Sequence, residues 1–268
     1  MKLKNIFHAL GLKSSVKFFG AERVVIGEYK NTPLSFYQWR TPKSSDVTLN
    51  QTEVDELKSF ISEGDIAIDV GAHIGDSTLP IALACGSAGG VYAFEPNPIV
   101  FSILAKNALI NKSLTNIYAI PFACSYKEIP IDFGYSDAWL ANGGDKSEFS
   151  WTHGHQYKVP VNGANPTIFI SDTDILKIRY LKIDVEGLEI EILKLFEKII
   201  DLRAPYIKFE IAKFTSQSNR VELESFFKNR QYELRVVDKD GHLFGKKLVQ
   251  EDFYRNHSLD VFCIPLAG

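Results

Sequence analysis

The sequence predicts an α/β chain built on a mainly parallel sheet with helices on both faces. Three features carry this reading. Stretches with helical spacing alternate with short apolar runs that read as strands, an order that calls for parallel strands joined by helical crossovers. Three of those runs end in carboxylates beside a turn residue: Asp69-Val70-Gly71-Ala72-His73-Ile74-Gly75, then Glu95-Pro96, then Asp184-Val185-Glu186-Gly187. At 268 residues the chain can bury one large core, with roughly three quarters of its unfolded surface removed from water.

Met1 to Gly20 holds Lys2, Lys4, Lys13 and Lys17 and no acid, and His8 and Lys13 interrupt its apolar residues short of signal-peptide or membrane-spanning length. Ile6, Leu10, Val16 and Phe19 fall on one face of a basic helix, which either packs on the domain or makes peripheral contact with an anionic membrane. Residues 22–27 and 34–39 alternate as strands around Asn31-Thr32-Pro33 and predict a hairpin. Residues 1–50 are therefore read as an N-terminal extension and 51–268 as the main domain. Thr52-Glu53-Val54-Asp55 opens a helix that runs past Leu57, Phe60 and Ile61 to Gly64.

Strands follow over 66–68, 91–95, 117–121, 181–185, 206–211, 232–237 and 260–265, with helices over 77–85, 98–111, 188–200 and 220–229. In the helix at 188–200 the stripe Leu188, Ile192, Phe196 and Ile199 faces the core, which turns Glu189, Glu191 and Glu197 toward water.

The first glycine turn has a nucleotide-site spacing with a specific departure. A dinucleotide fingerprint G-x-G-x-x-G starting at Gly71 requires glycine at 73 and 76, and these are His73 and Asp76. Gly71 and Gly75 still let the backbone pass close to a ligand, and Asp69 at the strand end suits a ligand bearing positive charge rather than a pyrophosphate. S-adenosylmethionine, with its sulfonium and ammonium groups, is such a ligand. Glu95, twenty residues past Gly75, ends the second strand where a carboxylate can accept from both ribose hydroxyls. The plain alternative is an ordinary strand-to-helix turn with an unrelated acid downstream.

With residues 69–75, Phe94-Glu95-Pro96-Asn97-Pro98 and Ile183-Asp184-Val185-Glu186-Gly187-Leu188-Glu189 in this order, the chain resembles the FkbM family of S-adenosylmethionine-dependent methyltransferases over about residues 64–211. The resemblance implies a Rossmann-like class I methyltransferase fold: a mostly parallel seven-stranded sheet with an antiparallel final strand. It also implies methyl transfer to oxygen, on a hydroxyl of a sugar, glycoconjugate or other small metabolite. Cofactor contacts are expected from Asp69, Gly71, Ala72, His73, Gly75, Glu95, Pro96 and Ala123. The family usually has Asn where this chain has His73. Residues 127–166 depart from the family and are expected to bind the acceptor through Trp139 and Trp151, or to form a plain aromatic minicore.

A hydroxyl is a poor nucleophile near neutral pH, so a base is required. Asp184, Glu186 and Glu210, all expected at the carboxyl edge of the sheet, and His73 beside the methyl site are the candidates. Asp184 and Glu210 could instead hold Mg²⁺, which prefers oxygen ligands. The structural alternative has Asp184 capping the following helix and Glu186 paired with Lys182 or Lys208.

A formal charge of −3 supplies no broad basic field for nucleic acid. Cys85, Cys124 and Cys263 form neither a C-x-x-C pair nor a disulfide framework, which fits reduced thiols in the cytoplasm. Two competing functions stand beside the methyltransferase: a nicotinamide-dependent oxidoreductase, weakened by His73 and Asp76, and a nucleotide-binding regulatory module without chemistry.

Overall fold

A hairpin, a seven-stranded sheet and a smaller four-stranded sheet make up the computed structural model, which describes residues 16–42, 44–126, 130–135, 143–145, 157–185, 187–213, 215–255 and 257–266. The hairpin is β1 (Ala21–Tyr29) and β2 (Thr32–Trp39), followed by α1 (Gln51–Lys58), β3 (Ile66–Val70), α2 (Thr78–Cys85), β4 (Gly90–Phe94), α3 (Pro98–Ile110) and β5 (Ile117–Ile120). Next come β6 (Ala123–Cys124), β7 (Pro130–Tyr135), β8 (Gly143–Asp145), β9 (Tyr157–Ala164) and the short α4 (Asp172–Ile175). The chain continues as β10 (Ile178–Ile183), α5 (Glu189–Leu195), α6 (Glu197–Arg203), β11 (Tyr206–Ile211), α7 (Gln217–Asn229), β12 (Tyr232–Val236), α8 (Gln250–Tyr254) and β13 (Leu259–Pro265).

The main sheet has the order β12-β13-β11-β10-β3-β4-β5. Neighbours from β11 to β5 are parallel, and β13 runs antiparallel to both β11 and β12. This is the sheet the resemblance implied. β3 and β4 are buried along their whole lengths, as strands covered on both faces must be, and Ile-Ala-Ile and Val-Tyr-Ala-Phe supply the apolar runs for it. The chain winds outward from β3 to β4 and β5 on one side, then returns to β10 and β11 on the other. The switch point between β3 and β10 opens a crevice at their carboxyl ends, where ligands of such sheets bind.

Local chemistry moves several boundaries. The Asn50 side chain caps α1 by accepting from the N–H groups of Thr52 and Glu53, so the helix starts at Gln51 and ends at Lys58. Phe60 and Ile61 lie beyond it, in the connection to β3, and are still buried. The single helix expected over 188–200 is two, because the backbone at Phe196 (φ −96°, ψ 4°) departs from helical dihedrals. The break lets Ile192, Leu193 and Leu195 before it and Ile199 and Ile200 after it all reach the core. Glu189, expected to face water, is buried instead: it is the first residue of α5, and its Oε1 accepts from the Gly187 N–H at 2.8 Å.

The hairpin turns at Lys30-Asn31, one residue earlier than the Asn31-Thr32-Pro33 expectation, and both residues have positive φ (50° and 61°), which matches the twist of the flanking strands. Its inner face shares one apolar cluster with the sheet's helices, Leu34, Phe36 and Trp39 meeting Ile74, Leu79 and Val100. Two asparagines, Asn107 on α3 and Asn111 at its C-cap, treat β2 as a neighbouring strand would. Asn107 accepts from Tyr37 N (2.6 Å) and donates to Tyr37 O (3.2 Å), while Asn111 accepts from Ser35 N (3.3 Å) and donates to Ser35 O (2.8 Å). Asn107 also donates to Ile74 O at 2.8 Å, which ties the hairpin to the glycine turn.

The smaller sheet, in the order β6-β9-β7-β8, covers the described part of the 127–166 insertion. Tyr135 is buried there against Ile99, Phe133 and Val159, placing this sheet on the first turn of α3. Among the described residues no helix is long and apolar enough to cross a membrane. Most of the basic segment expected over 1–20 lies outside the described residues.

Candidate active site

The turn after β3 is shaped by three left-handed residues, Gly71 (φ 82°), His73 (φ 49°) and Gly75 (φ 92°). The N–H groups of Gly71 and Ala72 both donate to Phe94 O at 3.0 Å, and Gly75 N donates to Ala72 O at 2.8 Å. Glycine at 71 is a packing requirement as well, because a Cβ there would stand 2.0 Å from the backbone oxygen of Asp184. His73 occupies a conformation that Asn, Asp and His tolerate better than most residues, so His in place of the family's usual Asn preserves the turn. Its Nε2 is buried without a hydrogen-bond partner, and its ring lies 5.8 Å from that of Trp39 on the hairpin. Burial lowers the imidazole pKa despite nearby Asp76 and Asp184, which keeps the ring neutral.

Glu95 follows β4 directly and is held from both sides. Its Oε2 accepts from His73 N at 3.0 Å and its Oε1 from Asn97 N at 2.8 Å. Burial raises its pKa to about 7 against the two N–H donors, which favour the charged form. Ala72 is fully buried beneath the turn and Pro96 is partly exposed. Ala123 lies on β6, paired with Gly163 in the smaller sheet and not on the main one.

Below the turn a row of charges crosses the sheet. Lys182 on β10 is in register with Asp69 on β3, and its Nζ lies 3.2 Å from Asp69 Oδ1 and 3.4 Å from Asp184 Oδ2. Asp69 is fully buried, and its Oδ2 accepts from Ser77 Oγ (3.1 Å) and Thr78 Oγ1 (2.8 Å). Its carboxylate is thus engaged by protein donors and reaches a ligand only through the turn it braces. Burial works against the Lys182 charge, but Asp69 and Asp184 outweigh it and push the ammonium pKa above its ordinary value. Sequence reasoning treated Lys182 only as a partner for Glu186. A lysine inside the apolar run Leu181-Lys182-Ile183, on a strand covered on both faces, was the available signal, since such a charge must be paired.

Asp184 stands at the carboxyl end of β10 with its side chain 49% exposed. It is not a helix cap: α5 has Leu188 at its N-cap and no side-chain cap bond. Glu210, at the end of β11, is one residue past Phe209, the register partner of Ile183, and so adjoins Asp184 across the strand pair. Burial, reinforced by Glu210 and Asp184, pushes the pKa of Glu189 up to about 8 although the Gly187 and Glu189 N–H groups oppose it. Lys208 is paired with Asp260 at 3.0 Å. Glu186, Trp139 and Trp151 lie outside the described residues.

Among the described residues no group of three or more His, Cys, Asp or Glu side chains is arranged to hold a metal ion. The ammonium of Lys182 lies 3.4 Å from Asp184 Oδ2, so a divalent cation bound there would be set against a buried positive charge. The described side chains do not fit the Mg²⁺ expectation at Asp184 and Glu210.

Residues 69–234 match the Methyltransferase FkbM domain. The chain is 30% identical over 149 residues to the hexuronic acid methyltransferase AglP of Haloferax volcanii, an alignment covering 56% of this chain and 57% of that protein. It therefore spans little more than half the length of that curated relative. Among solved structures, methyltransferase FkbM from Methylobacillus flagellatus KT is 15% identical with a TM-score of 0.45, over 74% of this chain and 43% of that one. An rRNA methylase from Streptococcus thermophilus is 13% identical with a TM-score of 0.45, over 83% and 100% of the two chains. The domain match takes in more than half of the chain, from Asp69 through the glycine turn and Glu95 to the Asp184–Glu189 block, and the chain belongs to the FkbM family of S-adenosylmethionine-dependent methyltransferases.

Proposed function

We propose that this enzyme transfers a methyl group to a hydroxyl oxygen of a sugar or sugar acid. The observation that carries this reading is Asp184, half exposed at the sheet's carboxyl edge, one strand from the glycine turn and paired from behind with Lys182. The hexuronic acid named for the relative AglP supports a sugar acid as acceptor, and the unpaired Cys85, Cys124 and Cys263 accord with a cytoplasmic setting.

Gly71, Ala72, His73 and Gly75 would hold the cofactor by backbone, and Glu95 would take its ribose. A carboxylate has about four lone-pair positions, and the His73 and Asn97 N–H groups use two, which leaves room for two hydroxyl donors. When bound, the cofactor supplies a methyl group activated on a sulfonium sulfur. Asp184 accepts the proton of the acceptor hydroxyl on its carboxylate as the oxygen becomes nucleophilic. The turn and the strand ends hold the reacting groups in one orientation, an effect worth several kcal/mol. Asp184 is preferred to His73 because it is the more open group, whereas His73 is buried and turned toward Trp39.

Calorimetry with S-adenosylhomocysteine tests the cofactor half of the reading. Glu95→Ala removes charge-assisted bonds worth about 1.5 to 3 kcal/mol, so affinity is expected to fall roughly ten- to hundredfold. With the carboxyl titrating near 7 in the free protein, hydroxyl donors favour the ionised form, and binding should weaken as pH falls through that value with release of a proton. Unchanged affinity in a folded Glu95→Ala protein would remove Glu95 from the ribose.

For the acceptor half, mass spectrometry after incubation with hexuronic acid glycosides and neutral hexosides should show a mass gain of one methylene on a hydroxyl of the sugar acids. Trp139→Ala and Trp151→Ala should then raise the acceptor KM and leave cofactor affinity alone. Unfolding or loss of cofactor binding in both would indicate an aromatic minicore. A bound cofactor with no turnover on any acceptor would favour the regulatory module.

A further inference from the structure

Lys182 is 7% exposed, and its ammonium bridges two carboxylates of different character. Asp69 is buried and fixed by Ser77 and Thr78 at the start of α2, whereas Asp184 is half exposed and has solvent to turn into. A continuous line of charge-assisted bonds therefore runs from the helix after the cofactor turn, through Asp69 and Lys182, to Asp184. Burying such a charge adds little net stability, because desolvation offsets the attraction. The consequence falls on the free end of the line, where one carboxylate is kept from rotating away.

We propose that Lys182 is a positioning residue for methyl transfer: it holds Asp184 beside the cofactor turn and supplies from within the protein the positive charge that a divalent cation would otherwise provide. The inference rests on Asp184 acting as the base. It makes the reaction independent of added metal.

Removing Lys182 alone strands the buried Asp69 carboxylate, so the comparison is D69N against D69N/K182M, each with and without D184N, in the full chain. In D69N the amide oxygen accepts from Ser77 and Thr78 and the N–H₂ group faces Lys182, a contact that K182M relieves, so a fall in kcat from D69N to D69N/K182M does not come from strain at position 69; both proteins are expected to fold. With the methyl glycoside of glucuronic acid as acceptor, D69N/K182M should show kcat roughly ten- to hundredfold below D69N, with acceptor KM and S-adenosylhomocysteine affinity changed little. In the presence of D184N the same change should cost almost nothing further, because residues that act as a unit are non-additive. Chelator should leave activity intact.

Nitrogen NMR of the lysine ammonium groups gives a readout that needs no acceptor: the Lys182 resonance should move in D184N. Equal kcat in D69N and D69N/K182M, an equally large loss with D184N present, or activity removed by chelator and restored by Mg²⁺ each overturns the proposal. So does a Lys182 resonance indifferent to D184N. Near-normal turnover in D184N itself defeats the base reading instead, as no turnover by the unaltered enzyme defeats that acceptor, and the NMR result still decides the pairing.

Discussion

Asp184→Asn should lower turnover by on the order of a hundredfold or more while cofactor affinity stays close to that of the unaltered enzyme. The amide keeps the size of the carboxylate and can still lie beside Lys182, but it cannot accept the acceptor's proton at neutral pH. The fold should tolerate the change, because the Asp184 side chain is half exposed and Lys182 keeps its pairing with the buried Asp69 at 3.2 Å. Single-turnover kinetics with calorimetry on the same preparation separates the two effects. A variant that binds cofactor normally and turns over at near-normal rate would take the base role away from Asp184. One that loses cofactor binding in step with turnover would make Asp184 part of the cofactor pocket.

Gly71→Ala should be the most damaging single methyl group that can be added near the site. The position has φ 82°, and the new Cβ would meet the backbone oxygen of Asp184 at 2.0 Å. Neither problem has a soft solution. A left-handed alanine costs about 1 to 3 kcal/mol by itself, and relief of the contact requires β3 and β10 to separate where Asp184 N donates to Val70 O at 2.9 Å. A total loss of about 3 to 5 kcal/mol in unfolding free energy is expected, together with loss of S-adenosylhomocysteine binding.

Gly75→Ala is the control. Its φ of 92° carries the same strain, but the nearest atom to a new Cβ is Leu104 Cδ1 at 2.9 Å, the end of a side chain that can turn aside. Denaturant unfolding should therefore rank Gly71→Ala well below Gly75→Ala. Equal stabilities, or a Gly71→Ala protein as stable as the parent, would mean that β3 and β10 yield more readily at this point than their spacing implies.

What was readable beforehand followed from local pattern. Ile66-Ala67-Ile68, Val91-Tyr92-Ala93-Phe94 and Leu181-Lys182-Ile183 read as buried strands because a strand covered on both faces needs apolar residues without alternation. The glycines at 71 and 75 marked a turn because left-handed backbone selects them. The same periodicity misplaced Glu189, since a helical wheel assumes a helix already running, and Glu189 begins one with its carboxylate folded back onto Gly187 N. It also carried one helix through Phe196, where the core takes a ring and the backbone departs from helical dihedrals.

By itself, then, the sequence determined the alternation of strand and helix, the acid and glycine at the ends of β3, β4 and β10, and the family. Propensity, side-chain period and turn conformation are properties of a few neighbouring residues, and the motif is a pattern of such properties. Only the tertiary structure decided that β2 docks on α3 through Asn107 and Asn111, residues 70 and 76 positions from their partners Tyr37 and Ser35. It alone set Lys182 between Asp69, 113 positions away, and Asp184, two positions away. Pairs that far apart depend on strand order and register, which arise when the whole core closes. A buried lysine acquires its role from whichever carboxylates that closure brings to within about 3 Å of it.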